Sequence, residues 1–212
     1  MKMKRANLIT LLAVFGFFGI ITVKADTTQM SQISHLLTQV ESKIPESYRF
    51  PEAVMEGGNW KKAPEFTQLK SAVQANWRTL LGNLKSVAPS ETDQVILFAA
   101  FQSMPSESYL QFLDKAASLA QTNVINKRLF KWALFPADKN VRGVLDYNYE
   151  KPVAKDILQR VKVLYADDPS MVKYCDAALS GEAKKGAEAY FNDNPADARP
   201  SPAVGNKAPG EQ

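Results

Sequence analysis

Apolar residues recur along most of this chain at the spacing of helices. In residues 27–44, Met30, Ile33, Leu37, Val40 and Ile44 step by three and four, which predicts an amphipathic helix stopped at Pro45. Residues 46–63 are broken by Pro51 and Gly57-Gly58 and read as a loop with at most a short helical piece. Residues 64–88 predict one long helix starting at Pro64. Phe66, Leu69, Val73, Trp77, Leu80, Leu84 and Val87 lie on its inner face.

Beyond this point the prolines set a rhythm. They stand at 89, 105, 136, 152 and 169, about sixteen residues or twice that apart, and Asn123 marks the middle of the long gap. Proline suits the first helical position because its missing N–H has no partner there anyway and its φ is already helical. Cap candidates accompany the starts: Ser90, Ser106, Asn123, Asp138 and Asp168, with Lys151 the weak exception. Ser90 and Asp93 have the spacing of a capping box. Each step leaves room for ten or twelve helical residues and a short turn, the arrangement of antiparallel neighbours. Val95 to Phe101 is apolar on every side and predicts a central buried helix.

The expected fold is therefore all-α with no sheet: an array of stacked antiparallel helices, either a HEAT-like α-α repeat or an irregular helical bundle. The fixed-offset signatures of tetratricopeptide and ankyrin repeats are absent. The expected organisation is 1–25 signal peptide, 26–63 amphipathic helix and loop, 64–192 helical array, and 193–212 a disordered Pro-rich tail. That tail holds Pro195, Pro200, Pro202 and Pro209, with Val204 its only large aliphatic residue.

Charge alters the picture only after the N-terminus is separated. The chain carries 26 basic and 22 acidic side chains. Lys2, Lys4, Arg5 and Lys24 fall in the first 25 residues, so the remainder is formally neutral. The basic balance is no argument for nucleic acid. Met1 to Arg5 is basic, Leu8 to Val23 is apolar apart from Thr10 and Thr22, and Val23-Lys24-Ala25 fits a cut before Asp26. This is the plan of a secretory signal. The expected location is periplasmic or extracellular. An uncut segment 8–23 is the one route to a membrane, though sixteen helical residues span only about 24 Å.

Candidate chemistry is sparse. Cys175 is the only cysteine, on an apolar stripe, and His35 is the only histidine, on the outer face of its helix. Neither a nucleophilic triad nor a zinc site can be assembled from them, and no cofactor, metal or catalytic set is expected. Carboxylate pairs remain an alternative, with Asp114, Asp146, Glu150, Asp167 and Asp168 as candidates for a cell-wall glycan hydrolase. The densest feature lies between Lys127 and Lys151, where aromatic and basic residues interleave. Arg128, Lys131, Trp132, Tyr147 and Tyr149 are its binding candidates. Trp60, beside Gly57-Gly58, is a further candidate anchor. The expected function is a non-catalytic binding or scaffolding protein for another protein or an envelope polymer. A membrane-tethered part of an envelope complex is a further alternative.

Overall fold

A computed structural model describes residues 28–46, 54, 58–136 and 141–182. The expected signal peptide, the expected tail and the cap candidate Asp138 lie outside them. Among the described residues every regular element is helical and there is no strand. The chain forms two compact units that divide between Ala100 and Phe101, so the expected 64–192 array contributes to both.

The first unit opens with α1 (28–41), whose stripe Ile33, Leu37, Val40 and Ile44 is buried. A short 3-10 helix (Asn59–Lys62) leads into α2 (Pro64–Gly82), which has proline at its first turn as expected. The long helix does not reach residue 88. It ends at Asn83, and a separate turn, α3 (Leu84–Val87), follows. The Asn83 N–H closes back onto Thr79 and Leu80, and its side chain donates to the Thr79 carbonyl at 3.0 Å. The apolar stripe continues across this break because Leu84 and Val87 are still buried. Ser34 of α1 donates to the Val87 carbonyl at 3.2 Å, and Lys43 pairs with Glu65 at 3.5 Å.

The helix α4 (Glu91–Phe101) starts with the expected capping box. The Asp93 N–H donates to Ser90 Oγ at 2.9 Å, and Asp93 Oδ2 accepts from the Ser90 N–H at 3.3 Å. Val95 to Phe98 are buried without interruption, as a helix apolar all round requires.

The second unit contains α5 (Ser106–Gln121), α6 (Lys127–Leu134), the single turn α7 (Val144–Tyr147), α8 (Pro152–Leu164) and α9 (Pro169–Leu179). Helix α5 packs against α6, α7 and α8, and α8 packs against α9. Tyr109, near the start of α5, donates to the Ala133 carbonyl at the end of α6 at 2.8 Å, so these two helices run antiparallel. Phe112 joins the rings of Phe101 and Tyr109, with centroids 4.6 and 5.2 Å away.

Two starts keep the expected device: Pro152 and Pro169 occupy the first helical turn, and Asp168 accepts from the Met171 N–H at 3.1 Å. Three starts differ. Pro105 itself precedes the first residue of α5 and takes the cap position, so Ser106 lies inside the helix. Asn123 does not begin α6. It has φ of 57° and ends α5, where Val124 N–H returns to the Leu119 carbonyl at 2.9 Å. Asn126 is the cap of α6, accepting from the Arg128 N–H at 2.8 Å. No long helix follows Pro136 among the described residues, where the next helical turn is α7, entered through Gly143.

Candidate functional site

The aromatic-basic segment folds into α6, α7 and the turn after it, and its members do not form one cluster. On α6, Leu129, Phe130, Ala133 and Leu134 face inward and are buried. Arg128 and Trp132 are one helical turn apart, and the guanidinium lies 5.4 Å from the indole centroid. Lys131 reaches Asp168 Oδ2 at 3.4 Å, and Lys127 donates to the Leu164 carbonyl at 2.8 Å. Tyr165 returns a 2.6 Å hydrogen bond to the Lys127 carbonyl. Two of the three α6 cations therefore tie the helix to the corner between α8 and α9. Arg128, exposed like Lys127, lies over the Trp132 ring.

Halfway along α9, Tyr174 is fully buried. Its ring meets Phe135 edge-on at 5.0 Å, and its hydroxyl donates to Asp146 Oδ1 at 2.8 Å. Burial raises the Asp146 carboxyl above its ordinary range, and the Tyr174 bond offsets part of that. Burial raises the Tyr174 phenol well above its ordinary value, with the Asp146 charge adding to it. The pair is a neutral donor facing a half-buried carboxylate.

Tyr147 and Tyr149 follow directly. Tyr147 is 86% exposed, the most open large apolar side chain among the described residues. Its ring edge passes close to Gly143. Gly143 sits at φ 69°, and a Cβ there would lie 3.1 Å from the Tyr147 ring edge. Tyr149 is half-buried, and its ring end lies 3.0 Å from where Gly181 would carry a Cβ. Gly181, at φ 81°, terminates α9, and Glu182 N–H closes onto the Ala177 carbonyl at 2.8 Å.

These contacts give the candidates a scale. Lys131 meets the start of α9 at Asp168, and Tyr149 meets its end at Gly181. Eleven helical residues separate the two places, about 16 Å at the usual rise. The sequence cluster is thus two groups, Arg128 with Trp132 and Lys131, and Tyr147 with Tyr149. Trp60 joins neither. It belongs to the first unit, is 4% exposed, and packs edge-on against Phe66 at 4.9 Å, so it is a core residue rather than an exposed anchor.

The carboxylates have other occupations. Arg160 clasps Asp114 and Asp156, and it also donates to Ser118 Oγ at 2.9 Å. Asp168 caps α9, and Glu150 accepts from Tyr149 at 3.3 Å. Asp167 is exposed. His35 is exposed, as its position on the outer face predicts. Cys175 is buried, and desolvation pushes its thiol up to about 12. Among the described residues no group of three or more His, Cys, Asp or Glu side chains is placed to hold a metal ion, and no helix is long and apolar enough to cross a membrane.

Tyr174 and the two glycines are parts of this region that the sequence pattern does not single out. Tyr174 lies more than twenty residues beyond Asp146 and reads as one more member of the α9 stripe. Gly143 and Gly181 carry a signal only in hindsight of their partners: each is a lone glycine at a helix boundary in a glycine-poor stretch. No family model, curated protein or solved structure matches this chain.

Proposed function

We propose that this protein is an exported, non-catalytic helical binding or scaffolding protein that recognises a protein or envelope polymer through its second unit. The observation that carries the reading is Tyr147. A large ring that is 86% exposed yet seated against a left-handed glycine is presented, whereas a spare aromatic would fold into the core. The exposed Arg128 over the half-buried Trp132 ring supplies a second group of the same chemistry. Lys131 at the start of α9 and Tyr149 at its end stand about 16 Å apart along that helix, a span that favours an extended partner over a small molecule, since a chain at about 3.3 Å per residue covers it in about five residues. The helix pairs α5–α6 and α8–α9 are, in this reading, neighbouring members of an α-α array that displays these groups.

The carboxylate alternative lacks a comparable support. The acid with a raised pKa, Asp146, faces a tyrosine, and the two acids brought together, Asp114 and Asp156, hold an arginine between them. The test is a triple variant, Arg128→Ala with Tyr147→Ala and Tyr149→Ala, used as bait in envelope extract beside the unaltered protein. Loss of a partner that the unaltered protein recovers is the expected result. Equal recovery by a folded variant contradicts the reading. Sequencing the N-terminus of the native protein separates a free form, beginning at Asp26, from a tethered one that keeps residues 8–23.

A further inference from the structure

The exposed charge around Tyr147 is mostly of one sign. Among the described residues of 127–155, Lys127, Arg128, Arg142, Lys151 and Lys155 are exposed, and Glu150 is the one exposed acid. Asp146 is half-buried on the Tyr174 hydroxyl, and Glu150 accepts from Tyr149 at 3.3 Å. Two of the cations belong to the turn that carries the open ring. Arg142 directly precedes Gly143, which lies against the Tyr147 ring edge. The Lys151 N–H closes onto the Asn148 carbonyl at 2.8 Å, which keeps that residue at the same turn.

The ring stands without apolar company. The other exposed large apolar side chains among the described residues are Val124, in the loop before α6, and Val163, in the last turn of α8. The centre of a protein interface is apolar and poor in charge, with its polar groups at the rim. Tyr147 has the reverse setting, one open ring beside Arg142, Asn148 and Lys151. Single-stranded nucleic acid stacks successive bases on several rings, and this turn offers one. A sugar unit needs only one. Its C–H face is apolar surface that an aromatic face covers, while its hydroxyls stay in water. A carboxylate on that sugar then forms charge-assisted hydrogen bonds with arginine or lysine.

We propose that the turn bearing Tyr147 binds a carboxylated polysaccharide, with one sugar ring stacked on Tyr147 and the carboxylates taken by Arg142 and Lys151. This rests on the binding role proposed above and names the class of polymer. The two fail separately. Absence of binding to acidic sugars ends this proposal, whereas a protein partner recovered from envelope extract would leave the broader role standing.

The experiment titrates the purified full chain with a galacturonic acid oligomer and follows the amide resonances of Gly143 and Asn148. A neutral galactose oligomer of the same length, a glutamate peptide and an oligothymidylate of the same charge are run beside it. The expected result is a saturable shift with the acidic sugar, weakened by added salt, and none with the neutral one. Tyr147→Ala should weaken binding about threefold to tenfold, and Arg142→Gln with Lys151→Gln at least as much. Lys115→Gln, at an exposed position on α5, should bind as the natural chain does. All the altered side chains are exposed, and urea midpoints check that each variant is folded. No saturable shift, equal binding of the neutral oligomer, or unchanged affinity in either turn variant overturns the proposal. So does tighter binding of the peptide or the oligonucleotide, which would assign the surface to another class of polyanion.

Discussion

The Tyr174 hydroxyl donates a 2.8 Å hydrogen bond to Asp146, joining the middle of α9 to the single turn α7. This bond positions the turn that presents Tyr147. Its carboxylate partner has a pKa raised by burial. In the window from the ordinary carboxylate value up to that raised value, the folded state holds more protons than the unfolded one. Stability from this group is therefore greatest at low pH and falls as pH rises through the window. Asp146→Asn keeps the acceptor and removes the titration. Its melting temperature should fall less between pH 4 and pH 7 than that of the natural protein. A larger fall in the variant contradicts the assignment.

Tyr174→Phe leaves the ring against Phe135 but strips Asp146 of its donor. A cost of about 1–3 kcal/mol is expected at neutral pH, read by urea unfolding. In the Asp146→Asn background the same change should cost measurably less, because the stranded group is then uncharged.

Asp168 has two roles, as the cap of α9 and as the partner of Lys131. Asp168→Ala removes both and should cost about 0.5–2 kcal/mol. Asp168→Asn keeps the cap acceptor and loses a half-exposed ion pair worth at most about 1 kcal/mol. The order Ala worse than Asn in denaturant midpoint checks that the cap, rather than the ion pair, is the larger contribution.

Gly143 is needed on two counts, its positive φ and the Tyr147 ring edge at 3.1 Å from a Cβ. Gly143→Ala should destabilise by about 1–2 kcal/mol through backbone strain alone, with the ring contact adding to it. Replacing Tyr147 by Ala in the same chain should recover the contact part and leave the strain. Equal costs in the two backgrounds would show that the glycine does not seat the ring.

Cys175 is buried, with its thiol pushed up to about 12. At pH 8 it carries almost no thiolate and has no route to solvent. Labelling by a soluble thiol reagent should follow global unfolding and speed up in step with denaturant. Rapid labelling of the native protein would contradict the packing of α9.

The parts of this fold that were legible in the sequence are those where one residue has one physical use. Proline at 64, 152 and 169 begins a helix because only the first turn tolerates it, and Asp168 caps because its carboxylate suits free N–H groups. Asparagine has two uses. It accepts at a helix start and also tolerates left-handed φ at a helix end, so Asn123 and Asn126 look alike in sequence while the fold uses them oppositely. The break at Asn83 was hidden because burial of Leu84 and Val87 preserves the helical stripe across it.

The site was legible as composition and illegible as geometry. Arg128 and Trp132 could be paired from their spacing of four. The separation of Lys131 from Tyr149 by the length of α9 depends on where Asp168 and Gly181 fall, and neither adjoins its partner in the chain. Trp60 beside a Gly-Gly turn has the sequence of an exposed anchor. Its ring is buried because Phe66, two residues into α2, receives it edge-on.

The account rests on Tyr147 being a contact surface, and crosslinking from that position tests it most directly. A photoreactive phenylalanine derivative is placed at 147 in the full chain and, as a control, at the exposed position of Lys115 on α5. Irradiation in the native host should give a discrete intermolecular adduct from position 147 that is absent from position 115. Adducts of equal yield and pattern from both positions would contradict the claim.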